Sequence, residues 1–212
     1  KIKDMLVREV DDQTVEIARA DRGQIKQSLI KAGWPVQDLA GYTEGAPLER
    51  SDLRSPGRSG VEWADREYQR GAVDAFHADG ALRGGSGVVV LPCGAGKTIV
   101  GILALARLGQ HALVLTTGLT ALRQWKRELL ERTTLTEEDI GEYSGEVKEI
   151  KPVTLTTYQI LTYRRTREDD FVHFGVFDQG DWGLIIYDEV HLLPAPVFRA
   201  TAEIQARRRL GL

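Results

Sequence analysis

The 212-residue chain contains one cysteine and one methionine. A single thiol cannot close an internal disulfide, which excludes a stapled secreted scaffold and points to a reducing compartment. Long apolar runs are also missing: stretches such as Gly87–Leu91 and Leu184–Tyr187 are far below the roughly 18–20 residues that cross a bilayer. No charged-then-apolar leader opens the chain, so neither export nor membrane anchoring is expected, and a cytoplasmic, nucleoid-associated location is. Charge of one sign is scarce as well. Lys+Arg 28 against Asp+Glu 31 leaves −3, and a pI near 5.9 excludes a uniformly basic nucleic-acid binder while allowing a local basic patch. No internal repeat or low-complexity tract is present. What remains is 42% hydrophobic and 28% charged, enough for one substantial core and a small appendage.

Residues 1–60 hold ten basic and ten acidic groups, so the net charge resides in 61–212. Thr14–Ala18 alternates as a strand does, behind a hairpin turn at Asp11-Asp12. Asp21 with Gln24 resembles a capping box that opens a helix with Ile25, Leu29 and Ile30 on its apolar side; Gly33-Trp34-Pro35 ends it. Gly41–Gly60, rich in Gly, Pro, Ser and charge, reads as a linker. The resulting division is an N-terminal α+β segment at 1–45, a linker at 46–60 and a larger domain at 61–212.

From Trp63 onward strands and helices alternate. The strand candidates are Val88–Leu91, Ala112–Thr116, Val153–Thr156 and Leu184–Tyr187, with amphipathic segments at Ile99–Leu108 and Ala121–Glu131 between the first three. Short, continuously apolar strands alternating with helices predict an α/β domain whose mainly parallel sheet is covered on both faces. Ligands bind such sheets beyond the carboxyl ends of the strands, so function is expected just after these four runs.

After Val88–Leu91 comes Pro92-Cys93-Gly94-Ala95-Gly96-Lys97-Thr98, followed directly by a helix. Strand, glycine-rich loop and helix make a phosphate-binding loop. Gly94 and Gly96 let the backbone turn its N–H groups toward phosphate oxygens, and the positive end of the helix adds attraction. Lys97 is expected to reach the β- and γ-phosphates, and the Thr98 hydroxyl to ligate Mg²⁺. The first Gly of the general G-x-x-x-x-G-K-[ST] pattern is Leu91 here. Cys93 has no supporting base for a nucleophile's role and reads as a small packing residue.

Leu184–Tyr187 runs straight into Asp188-Glu189-Val190-His191. An apolar strand that delivers two acids at its carboxyl edge suits a nucleotide hydrolase. Asp188 would hold Mg²⁺, through water, because that ion keeps part of its hydration shell. Glu189 would act as general base on the attacking water. His191 lacks companion metal ligands and reads as a hydrogen-bonding link between the nucleotide and another site.

These two motifs together resemble superfamily 2 helicases, and more closely the XPB (xeroderma pigmentosum group B) DNA helicases of the bacterial and archaeal branch. Supporting stretches are Arg123-Gln124-Trp125-Lys126, Gly141–Gly145, Thr156-Thr157-Tyr158-Gln159, Asp188–Pro196 and Ala206–Leu212, so the likeness runs from about Gly23 onward. The missing first Gly is normal in that superfamily. The resemblance implies a RecA-like P-loop motor domain that uses ATP and Mg²⁺. It also implies an adenine-recognising Q motif at Arg66-Glu67-Tyr68-Gln69, in which Gln69 bonds the adenine edge and Arg66 lies against the base or ribose. Motifs Ia and Ib fall at Thr116–Trp125 and Thr156–Tyr158. Thr117, Thr120, Arg123, Gln124 and Thr157 are the implied contacts to a DNA backbone, made without reading bases, and Trp125 is expected in the core. The N-terminal segment resembles the end of the family's accessory domain, which is linked to recognition of distorted DNA. Arg167-Glu168-Asp169 reads as a solvated loop and Arg207-Arg208-Arg209 as a solvated helix end.

The implied activity is an ATP-dependent 3′→5′ DNA helicase or translocase of repair or transcription type, with a second RecA-like domain expected beyond Leu212 as partner, and with a nuclease or a repair or transcription factor as a further one. Without that domain's arginine fingers, worth about 10³–10⁵ in rate, the 212 residues are expected to bind nucleotide and hydrolyse it feebly. The alternatives are a duplex translocase that does not unwind and a nucleotide-gated binding module.

Overall fold

A computed structural model describes residues 5–18, 25, 28–29, 32–34, 44–81, 84–163, 172–173, 176–192 and 206–212. The readings at Asp21, Gln24, Ile30, Pro35, residues 167–169 and residues 193–196 lie outside the described residues.

Near the N-terminus, β1 (Leu6–Asp11) and β2 (Thr14–Ile17) form an antiparallel hairpin. The Asp11 carboxylate accepts the Gln13 N–H at 2.8 Å, a local turn bond that holds its pKa below the usual carboxylate range. Ile25, Ser28 and Leu29 are helical. Gly33 ends that turn in the left-handed region (φ +85°), and the Trp34 N–H donates to Leu29 O at 3.0 Å.

The larger unit contains α1 (Glu67–His77), β3 (Ser86–Val88), α2 (Lys97–Leu108), β4 (Ala112–Thr116), α3 (Leu119–Arg132), β5 (Ile140–Tyr143), β6 (Val153–Thr157), the short α4 (Tyr158–Leu161) and α5 (Val176–Gln179), β7 (Leu184–Tyr187) and β8 (Arg208–Gly211). Among the described residues six strands form one sheet in the order β3-β8-β7-β4-β6-β5, and each of these pairings is parallel. Because side chains alternate along a strand, each central strand feeds two cores. Ala112 and Val114 of β4, with Leu184 and Ile186 of β7, meet α1, α2 and α3 through Val73, Val100, Leu105, Leu122 and Leu129. Leu113 and Leu115, with Ile185 and Tyr187, meet Tyr158, Leu161, Val176 and Phe177 on the other face. The sheet is therefore apolar on both sides, as continuous runs of Leu, Ile and Val require.

Several readings are corrected by the packing. The first strand is Ser86–Val88 rather than Val88–Leu91, because β3 pairs only with β8 and has that strand's short register; Val89 N–H adds one bond to Gly211 O at 2.8 Å. The stretch 46–60 is not a free tether. Pro47 bridges to Gln110 and Leu53 to Thr133, Leu48 and Ser51 are buried, and Arg58 N–H donates to Glu131 O at 2.9 Å. Its polar backbone is thus paired against the ends of α2 and α3. Arg208 and Arg209 lie in β8, between β3 and β7, not at a solvated helix end. Arg208 is only 8% exposed, and Arg207 and Arg208 both pair with Glu44. Ion pairing lets arginines occupy a strand whose identity is set by its neighbours.

Helices α2 and α3 approach closely where Gly101 faces Trp125; a Cβ at Gly101 would overlap the buried Trp125 ring and come 3.2 Å from Leu212. Gly101→Val is expected to destabilise the chain by about 1–3 kcal/mol, through overpacking that outweighs any gain in helix stiffness. Urea denaturation checks this, and an unchanged midpoint contradicts it.

Candidate nucleotide site

The loop between β3 and α2 is shaped by two left-handed glycines, Gly94 (φ +77°) and Gly96 (φ +81°). That backbone region excludes most side chains. Gly96 is the N-cap of α2 and its carbonyl accepts the Ile99 N–H at 3.0 Å, so Lys97 and Thr98 occupy the first turn with the positive end of the helix behind them. Pro92, Cys93 and Gly94 are exposed, while Ala95, Gly96, Lys97 and Thr98 are half-buried. Cys93, expected as a packing residue, is an exposed free thiol.

Gln69 supports this loop from below. It is 4% exposed, its Nε2 donates to Ala95 O at 3.0 Å and Gly96 O at 3.4 Å, and its Oε1 accepts the Arg66 N–H at 2.9 Å, closing a capping box at the start of α1. A Cβ on Gly96 would come within 2.6 Å of that Nε2. The expectation of an adenine contact therefore meets a different geometry: both ends of the Gln69 amide are engaged with backbone. The exposed groups beside it are Arg66, whose guanidinium donates to Tyr68 Oη at 3.1 Å, and Tyr68, whose hydroxyl donates to Ala95 O at 2.7 Å.

Across from the loop, β7 ends at Tyr187 and the chain turns through Asp188 and Glu189. Glu189 is held at φ +50°, an uncommon conformation for this residue type that swings its side chain back toward the loop. The Lys97 ammonium donates to Glu189 Oε1 at 2.6 Å, and His191 Nδ1 lies 3.5 Å from Glu189 Oε2. Lys97, Glu189 and His191 thus form one cluster spanning both motifs.

Asp188 is 9% exposed and held on three sides. Its N–H donates to Leu115 O at 2.9 Å, its carbonyl accepts the Tyr158 hydroxyl at 2.9 Å, and its Oδ2 accepts the Trp125 indole N–H at 3.0 Å. Burial pushes the Asp188 carboxyl above its usual pKa, with the indole bond pulling the other way. Burial raises the Tyr158 phenol too, aided by the Asp188 charge, so it remains a donor. Trp125 is in the core, as expected, but its bond to Asp188 went unforeseen. Only the polar edge of an otherwise apolar ring offered a signal.

The donor set suits Mg²⁺. Among the described residues no three His, Cys, Asp or Glu side chains cluster to cage a metal, whereas the buried Asp188 carboxylate, with the Thr98 hydroxyl in the first turn of α2, would suit an ion that takes one or two protein oxygens plus water. Asp188 and Thr98 are the residues that would hold it.

The DNA-contact candidates divide. Thr120, Arg123 and Gln124 are exposed at helical spacing on one face of α3, with Arg123 4.0 Å from Glu146. Thr117 is half-buried between β4 and α3. Thr157 is 4% exposed, and its hydroxyl caps α4 by accepting the Ile160 N–H at 3.4 Å. These positions share the carboxyl edge of the sheet with the phosphate loop.

Residues 62–212 match the family described as Type III restriction enzyme, res subunit. The chain is 57% identical over its whole length to the DNA 3′-5′ helicase XPB of Mycobacterium tuberculosis, of which it covers 36%. It is 52% identical over 98% of its length to the protein of the same name from Kineococcus radiotolerans, of which it covers 35%. The chain belongs to the XPB helicase family. It spans about a third of the length of these curated relatives. Its fold is also that of the UvsW helicase of bacteriophage T4, with a TM-score of 0.56 at 16% identity over 97% of this chain and 74% of that one. Among the described residues of this XPB-family chain, no helix is long and apolar enough to cross a membrane.

Burial raises the folded pKa of Asp188 above its unfolded value. Folding therefore favours the protonated form, and the ionised carboxylate subtracts from stability once the pH exceeds the carboxylate range. Asp188→Asn is expected to raise the thermal midpoint of the nucleotide-free chain at pH 7, with the advantage shrinking as pH falls through that range. A variant no more stable than the parent at pH 7 contradicts this.

Proposed function

We propose that this chain is the first motor lobe of an ATP-dependent 3′-5′ DNA helicase or translocase, binding Mg-ATP and gripping DNA through its backbone. The observation that supports the reading most is the 2.6 Å ion pair joining Lys97 of the phosphate loop to Glu189 of the acidic turn. In the resting site each charge satisfies the other. An arriving triphosphate competes for the Lys97 ammonium, while the N–H groups around Gly94 and Gly96 and the start of α2 receive its β- and γ-phosphates. Glu189, released from Lys97, becomes free to accept a proton from the attacking water. His191, next to its second oxygen, is placed to register that release. Thr98 and Asp188 would hold Mg²⁺, which when bound would offset charge on the phosphate oxygens. At the adenine end, Arg66 and Tyr68 are the groups open to a base, and Gln69 keeps the loop in shape beneath it.

On the same edge of the sheet, Thr120, Arg123 and Gln124, with Thr117, face a DNA backbone. Thr157 contributes there by capping α4. In the longer protein a second RecA-like lobe supplies arginine fingers and closes on the nucleotide, so the 212 residues alone turn over ATP slowly. Residues 1–45 belong to an accessory unit and 61–212 to the motor. The protein works in the cytoplasm, with repair or transcription partners.

A second reading, translocation along duplex DNA without strand separation, draws support from the restriction-enzyme family that residues 62–212 match. Strand displacement by the longer protein separates the two.

Lys97→Ala is expected to abolish binding of a fluorescent ATP analogue to the chain. In the longer protein, Glu189→Gln is expected to keep Mg-ATP binding while lowering DNA-stimulated turnover by about 10²-fold or more. Normal analogue retention in the first variant, or unchanged turnover in the second, contradicts the proposal.

A further inference from the structure

Asp188 carries the charge that a metal would need, yet it is buried, where its orientation depends on the donors that surround it. The one side-chain hydrogen bond to its carboxylate among the described residues comes from the Trp125 indole, at 3.0 Å. Trp125 is 1% exposed and cannot move freely. Its ring lies against Gly101, where even a methyl group would collide with it, and it shares the core with Val100, Leu122 and Leu129. Gly101 is in the second turn of α2, the helix that begins with Lys97 and Thr98. The indole is therefore wedged between the phosphate-loop helix and the acidic turn, with its N–H aimed at the latter.

We infer that Trp125 is a positioning residue for metal binding: its indole N–H fixes Oδ2 of Asp188, so that the carboxylate meets a phosphate-bound Mg²⁺ without first being ordered. This rests on the reading of the cleft as an Mg-ATP site. A buried carboxylate with two rotatable bonds and no side-chain donor must lose rotamer freedom on binding a metal, and partners that orient a metal's ligands are commonly worth about 10–100-fold in metal affinity. The surface residues of α3 play no part in this role, because Trp125 points inward while Arg123 and Gln124 are exposed. A tryptophan retained only for its volume would work equally well with its N–H replaced.

The test is the Mg²⁺ concentration giving half-maximal Mg²⁺-dependent binding of a fluorescent ATP analogue to the 212-residue chain, with analogue affinity in EDTA as control. Trp125→Phe removes the donor together with some volume. Replacing Trp125 with benzothienylalanine, which keeps the bicyclic shape and exchanges the N–H for sulfur, removes the donor alone. Both are expected to raise the Mg²⁺ midpoint about 10–100-fold and to leave the EDTA affinity unchanged. If Trp125→Phe does not fold, the isostere decides the matter. A parental midpoint retained by the isostere overturns the inference and leaves the nucleotide site standing. If the parent's binding shows no Mg²⁺ dependence, it is the Mg-ATP reading that fails.

Discussion

The contact between Lys97 and Glu189 joins two segments that are 92 residues apart in sequence. It closes across β8, which lies between β3 and β7. With strands about 4.8 Å apart, the two arms of the cleft stand roughly two spacings from each other, within reach of a lysine and a glutamate extended toward one another. The intervening strand must leave room. At its carboxyl end it offers Gly211, whose added Cβ would come 3.1 Å from both Val88 and Val190. The ion pair therefore depends on a parallel register that places Val88, Gly211 and Tyr187 in one row, and on a glycine where the row passes beneath the cleft.

The polar parts of the site are stabilised unevenly, and this bears on function. Loop backbone, Gln69 and the α1 cap form a closed set of hydrogen bonds that keeps the glycine loop bent before any ligand arrives. The acidic turn instead carries costs. Glu189 adopts a left-handed backbone, worth on the order of 1–3 kcal/mol, and Asp188 retains a carboxylate in a buried position that its surroundings would rather protonate. Sites for multivalent anions and cations commonly store such costs, because the ligand's charge is what relieves them. A rigid cradle facing a strained acidic turn suits a site that must bind, react and release.

Much of this was legible in the residues themselves. The β4 and β7 runs were bounded correctly because their apolar stretches are continuous and end at polar side chains. The phosphate loop stood out because glycine, lysine and threonine fell between a strand and a helix. Other elements gave no such signal. β5 contains Gly141, a poor strand former on its own, which is used because Glu149 O lies 2.7 Å from where its Cβ would be. β8 begins with two arginines and is a strand only because β3 and β7 leave a gap with unpaired backbone on both sides. The stretch 46–60 has linker composition, and the partners that anchor it are far away in sequence. Gln69 and Trp125 illustrate a further limit. Residue type identifies a donor, but only three-dimensional placement shows that one amide supports a loop and one indole reaches a carboxylate.

The central claim is that Lys97 and Glu189 are mutual partners in the resting site and are separated by nucleotide. A double-mutant cycle measures this directly: urea stabilities of the parent, Lys97→Met, Glu189→Gln and the double variant, each without ligand. Because both side chains are partly exposed, a coupling energy of about 0.5–2 kcal/mol is expected. Additive effects in the nucleotide-free chain, with no coupling beyond experimental error, would contradict the account.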